Sequence, residues 1–318
     1  MARRPVCRRM KSPASIYPAV SPGGRLHSAA GETRRWKTSL AVFFCALTLS
    51  SGCASLMSSA ASGLADNLSM AVLNQNDPET VRDGAPAYLL LLDSFLEGNP
   101  DDPELLAAAA NLYAAYGSIF ADEPGRAARL TERARLYGTR AICEGFRQSC
   151  GWQEMNFEQF EASLADLGPR HADLVYSYAV ASLAWIRAHS DDWNALAELP
   201  QMEALLGRYL EIGGGDRRGS AYTFLGVLTT LRPPSLGGDP EQGRAYFERA
   251  IELTDGQDLA VKVEYARGYA RMLYERELHD RLLNEVLAAE PQVPGYTLTN
   301  VLAQRDAAEL LETADDYF

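Results

Sequence analysis

The chain has 318 residues, 47% of them hydrophobic, enough to bury a sizeable core, and its formal net charge is −12. The charge is uneven: residues 1–52 hold nine of the 30 basic residues and one of the 42 acidic ones, which leaves the remainder at −20. An acidic body argues against nucleic acid, whose phosphates need a basic footprint, and leaves basic protein partners and plain solubility both open.

The basic N-terminal part reads as a targeting segment. Arg34, Arg35 and Lys37 precede an apolar run, Leu40 to Leu49, that is too short to span a bilayer and suits a signal peptide. It ends in Leu49-Ser-Ser-Gly-Cys53, which resembles a lipoprotein signal with Cys53 as the lipidated residue. The match departs at Ser50, where leucine is preferred, and residues 1–33 are long for such a leader, which fits a start at Met10 or beyond. An ordinary buried cysteine is the alternative for Cys53. The expected division is a leader and signal over 1–52, a lipidated Ser/Ala-rich tether over 53–75, and a single helical domain over 76–318. Ala54 after the cysteine resembles the pattern of lipoproteins sent to the outer membrane, so the expected location is the cell envelope, facing the periplasm.

From residue 76 onward the pattern is helical, with no sustained strand alternation. Asp-Pro-Glu recurs at 77–79, 102–104 and 239–241, and each occurrence opens an apolar helical run. After Pro103, Leu105, Leu106, Ala109, Leu112, Tyr113 and Tyr116 share a face, and Ala127, Thr131 and Ala134 continue it on a partner helix. Cys143 and Cys150 would be about 10 Å apart on one unbroken helix, too far for a disulfide. Gly145 marks a helix end between them, so a bridge and two free thiols both stay open. An amphipathic helix follows over Asn156–Leu167, then a helix over 173–189 that is apolar nearly all round and belongs inside the stack. Another spans Pro200–Ile212 and stops at three glycines.

Residues 219–291 carry the clearest organisation, two successive helical hairpins. The second helix has Asp239 as N-cap, Pro240 at the first position and Gln242 at the third, with Phe247, Ala250, Ile251 and Thr254 on one face. Tyr222, Leu225 and Gly226, followed by Gly243, Phe247 and Ala250, reproduce the spacing of a tetratricopeptide-like repeat. The connection Arg232-Pro-Pro-Ser-Leu-Gly-Gly-Asp239 is about five residues longer than that repeat allows, as in a rigid elbow or a binding loop.

Catalytic constellations are not evident. His171, His189 and His279 are scattered without a second ligand at zinc spacing, and Gly237-Gly-Asp239 lacks the Lys-Ser/Thr of a nucleotide loop. No metal, cofactor or enzyme activity is expected. Lys262, the single lysine after residue 52, lies near Tyr265 and Tyr269, and Tyr222 belongs to the preceding hairpin. With Arg232 they form a candidate ligand or partner site, since tyrosines beside a cation suit a partly apolar anion. The same tyrosines also suit a repeat core, and the residues alone leave both readings standing.

The stretches LRPPSLGGDPEQGRAYFERAIEL, VKVEYARGYARMLYERELHDRLLNEVLAAEP and TLTNVLAQRDAAELLETADDYF resemble the TatT family, lipoproteins associated with TRAP-type transporters of bacteria. The resemblance implies an all-α, TPR-like stack of hairpins forming an α-solenoid. It further implies a non-enzymatic, membrane-anchored accessory protein whose partner is the periplasmic TRAP solute-binding protein. A small apolar or carboxylate ligand and a homo-oligomer are compatible with it. The competing reading is a general envelope-assembly scaffold built on the same hairpins.

Overall fold

Three aspartates decide where three helices begin. Asp77, Asp102 and Asp239 each stand in front of a proline, whose missing N–H costs a helix nothing at its first position. Each carboxylate accepts from backbone N–H groups of the first turn: Glu79 at 3.1 Å, Glu104 and Leu105 at 3.0 Å, and Gln242 at 3.0 Å. The computed structural model describes residues 70–318, apart from Pro233, Gly237 and the side chain of Leu236. The signal segment, Cys53 and the tether as far as Ser69 lie outside the described residues.

Every regular element is helical, and no strand occurs among the described residues. The principal helices are α1 (Pro78–Gly98), α2 (Pro103–Ile119), α3 (Pro124–Gly145), α4 (Phe157–Ser163), α5 (Ala172–Ala188) and α6 (Trp193–Leu196). They continue with α7 (Leu199–Glu211), α8 (Arg218–Thr230), α9 (Pro240–Leu253), α10 (Leu259–Tyr265), α11 (Arg276–Ala288), α12 (Thr297–Glu312) and α13 (Ala314–Tyr317). Among the described residues, no helix is long and apolar enough to cross a membrane.

Helices pack mainly on their sequence neighbours: α2 on α3, α8 on α9, α11 on α12. Helix α10 also packs on α12, and α5 departs furthest from this pattern, lying against α2, α3 and α7 together. Its near-continuous apolar character follows from that position, because a helix with neighbours on several sides has little surface to give to water. Three clusters form the core. One joins α1, α2, α3 and Ala181 of α5, a second centres on Trp152, Phe160 and Tyr209, and a third on Phe247, Tyr265 and Tyr269.

The last long helix returns to the first. Leu298 of α12 is buried in the same cluster as Val81 and Leu89 of α1. The Gly295 amide donates to Asn74 Oδ1 at 2.7 Å, and Arg305 lies 3.4 Å from Glu79.

Two sequence expectations change in detail. The helix expected over 156–167 is α4 followed by a tight 3₁₀ turn at Leu164–Asp166. The α-helical part stops at Ser163, and after the turn Leu167 and Gly168 are extended ahead of Pro169, as the residue before a proline favours. The connection after α8 contains a 3₁₀ turn at Pro234–Leu236.

The region of the two described cysteines also has a local explanation. Helix α3 ends at Gly145, Phe146 is extended, and a 3₁₀ stretch runs from Arg147 to Glu154. The chain therefore turns back, and Cys143 and Cys150 are disulfide-bonded with Cα atoms 4.6 Å apart.

Candidate functional site

The residues singled out from sequence fall into separate environments. Tyr265 and Tyr269 are 5% and 1% exposed, so they belong to the core rather than to an open groove wall. The Tyr265 ring stacks on Phe247 at 5.2 Å and meets Tyr269 edge-on at 5.4 Å. Burial pushes the Tyr265 hydroxyl up to about 12. The Tyr269 hydroxyl donates to Glu241 Oε1 at 3.3 Å. Tyr222 is half-buried and tilts against Tyr246 at 5.9 Å. Lys262 binds Glu285 of α11 at 2.7 Å and is occupied by that pairing. Arg232 is half-buried and precedes Pro233, which lies outside the described residues. Tyr265 and Tyr269 are thus brought together as packing residues, while Lys262 is engaged with another helix.

The tertiary structure assembles a different constellation from α5, α8, α10 and α12. Along α5, Tyr176, Val180, Leu183 and Arg187 recur at helical spacing and keep part of their surface accessible. Tyr176 has its hydroxyl beside Ser220 of α8, and the Arg217 guanidinium lies 5.1 Å over its ring. Burial raises the Tyr176 pKa against the lowering pull of Ser220 and Arg217, and Asp258, the N-cap of α10, adds a smaller push upward. Asp258 itself is raised by burial, partly offset by the backbone N–H of Ala260.

A charged group occupies the same side of α10. Arg267 binds Glu264 one turn away and reaches Asp306 of α12 at 2.6 Å. Burial raises the Glu264 carboxyl above its ordinary range, against the opposing pull of Arg267 and then Arg187 of α5. Yet 30% of the Glu264 side chain remains accessible. A carboxylate that touches solvent while being desolvated is one held in a recess, surrounded by protein but not sealed. Polar side chains of α5, α8, α10 and α12 thus lie near enough to influence one another, which makes them one candidate wall.

Chemically, that wall offers groups for binding: its carboxylates are paired or capping, and burial keeps the Tyr176 hydroxyl protonated. Among the described residues, no group of three or more His, Cys, Asp or Glu side chains is arranged to hold a metal. Sequence reading passed over this wall because Arg187, Glu264, Arg267 and Asp306 each look like an ordinary solvated charge. The available signal was the α5 periodicity, which leaves Tyr176 and Arg187 on one stripe of an otherwise apolar helix.

The family model described as TRAP transporter T-component matches residues 74–318. No curated protein matches the chain at a significant level.

Proposed function

We propose, from the premise that the chain belongs to the TRAP transporter T-component family, that it is a lipid-anchored periplasmic subunit that binds the transporter's solute-binding protein. Membership of a transporter-accessory family carries the transport role. The anchoring, the partner and the ligand are the finer reading argued here.

The observation that supports a binding role is the inner wall formed by Tyr176, Arg187, Glu264 and Asp306. Its Glu264 carboxyl and Tyr176 hydroxyl are partly desolvated, so a ligand or partner group placed beside them replaces little water and interacts strongly with them. In this reading the wall receives a small, partly apolar or carboxylate-bearing solute, and the TPR-like array supplies the frame. Lipidation at Cys53 would keep that frame at the membrane through acyl chains, each contributing about 0.8 kcal/mol per buried CH₂. Arg232 remains a candidate contact at the loop after α8, and Tyr222 a candidate at the adjoining helix face.

The test is binding of the purified, co-encoded solute-binding protein to the full chain in detergent, with and without its solute. Association is expected, with a salt-dependent affinity that falls at least threefold in Arg187→Ala and is unchanged in Lys262→Ala. Absence of association by the wild type at micromolar concentrations overturns the partner reading. Equal solute-dependent behaviour of wild type and Arg187→Ala overturns the role given to the inner wall.

A further inference from the structure

Between α3 and α4 the chain makes a corner that is anchored at both ends and tied across the middle. At one end Phe146 is buried, and its ring meets His171 at 5.1 Å. A Cβ added at Gly145 would collide with Leu174 Cδ1, so the end of α3 is pressed onto α5. At the other end Trp152 is buried, with its ring 5.1 Å from Phe160 and 5.6 Å from Tyr178. Its indole N–H donates to Ser163 Oγ at 2.8 Å. Between these two anchors, Arg147, Gln148 and Cys150 are exposed.

Without the bridge, the segment between the anchors is weakly held. It belongs to a 3₁₀ stretch of eight residues, and runs beyond about four residues are uncommon because their hydrogen bonds are poorly aligned. Ser149 is its inward residue, donating to the Phe146 carbonyl from its amide at 2.9 Å and from its hydroxyl at 2.7 Å. Arg147 pairs with Glu144 at 2.6 Å, but its side chain is 72% exposed, where an ion pair adds little. The covalent tie from Cys150 to Cys143, on the last turn of α3, is therefore the contact that holds the segment shut. Its two sulfurs differ in access, since Cys150 is exposed and Cys143 half-buried. Thiol–disulfide exchange depends on access to the sulfur attacked, so Cys150 is the one that a thiolate reaches.

We infer that the Cys143–Cys150 bridge is a redox latch, opened by a dithiol through Cys150, and that its reduction frees residues 147–151 while the anchors at Phe146 and Trp152 hold the rest of the fold. A thiolate of the dithiol bonds to Cys150 Sγ as the bond to Cys143 breaks, and Cys143 leaves as a thiolate that takes up a proton. The second thiol of the reductant gives up its proton and attacks the mixed disulfide, and Cys150 leaves and is protonated in turn. Two electrons and two protons pass to the bridge, and the dithiol becomes a disulfide. The freed segment is confined between two buried aromatic anchors, so the change is a local opening rather than loss of the fold. The latch stands independently of the partner and ligand reading.

The experiment treats the full chain in detergent with dithiothreitol, without denaturant, and follows two readouts. Differential alkylation, mapped on the peptides that hold Cys143 and Cys150, reports reduction of this bridge. Amide hydrogen exchange reports what the reduction frees. Reduction is expected under native conditions, with exchange over 147–151 accelerated about tenfold and exchange in α5, α8 and α12 unchanged. Acid-quenched incubation with reduced glutathione is expected to trap the mixed disulfide on Cys150 about fivefold more than on Cys143. Cys143→Ser/Cys150→Ser is expected to reproduce the exchange pattern of the reduced wild type with no reductant present, and to ignore dithiothreitol. A bridge that resists dithiothreitol until the chain is unfolded overturns the latch. Reduction that leaves 147–151 as protected as before overturns it too, and so does reduction that speeds exchange throughout the helices. Adducts mainly on Cys143 overturn the role given to Cys150.

Discussion

Gly226 presses its bare backbone against the ring of Phe247: a Cβ at this glycine would come within 2.8 Å of the ring. Helix α8 therefore approaches α9 at a point where only hydrogen fits between them. Phe247 is fully buried and also stacks on Tyr265, so the contact ties α8, α9 and α10 together. The Gly226→Ala variant is expected to destabilise the fold by about 1–3 kcal/mol through overpacking. Phe247→Ala should cost about 3–5 kcal/mol through the cavity it leaves. Because the two residues touch, the double variant should cost less than the sum, which urea unfolding of the four proteins measures directly.

Asp93 joins the first three helices. It accepts from the Tyr113 hydroxyl at 2.8 Å and the Tyr137 hydroxyl at 2.7 Å, and pairs with Arg133 at 3.0 Å. Burial and then the bond to Asp93 raise the pKa of both tyrosines, so the hydroxyls stay protonated as donors. Tyr113→Phe and Tyr137→Phe are each expected to cost about 1.5 kcal/mol, the worth of a hydrogen bond to a charged group. Asp93→Ala should exceed either, because it strands two donors and a guanidinium at once. Thermal melts of the three variants give the ranking, and an Asp93→Ala protein as stable as wild type would remove the network from the account.

Glu264 and Asp258 set a pH dependence of definite sign. Burial raises both carboxyls above their ordinary values of 4.5 and 3.8. A carboxyl with a raised folded pKa holds its proton more tightly in the folded state. Its contribution is therefore fully present below the unfolded pKa and is lost as pH rises through the folded one. In Glu264→Gln this decline should flatten in the range starting near pH 4.5 and extending upward, relative to wild type. Denaturant midpoints across pH 4 to 8 provide the comparison, with parallel curves counting against the assignment.

Cys53 offers a prediction independent of the fold. Cys53→Ser is expected to leave the precursor unprocessed or to release the protein from membranes, read by fractionation and by the mass of the mature N-terminus. Normal processing with full membrane retention would sink the lipidation proposal.

The local choices were legible in the sequence. Asp-Pro-Glu fixed three helix starts, because capping and the missing proline N–H act over one turn and need no tertiary partner. The repeat spacing likewise put Gly226 and Phe247 on the two helices of one hairpin, whereas their direct contact is a finding of the structure. What depended on long-range packing was decided only by the tertiary structure. Tyrosine serves equally in a core or a groove, and burial by three helices placed Tyr265 and Tyr269 in the core. Arg187, Glu264 and Asp306 come within electrostatic reach of one another only in the fold, and charge in a sequence carries no record of how much water will surround it.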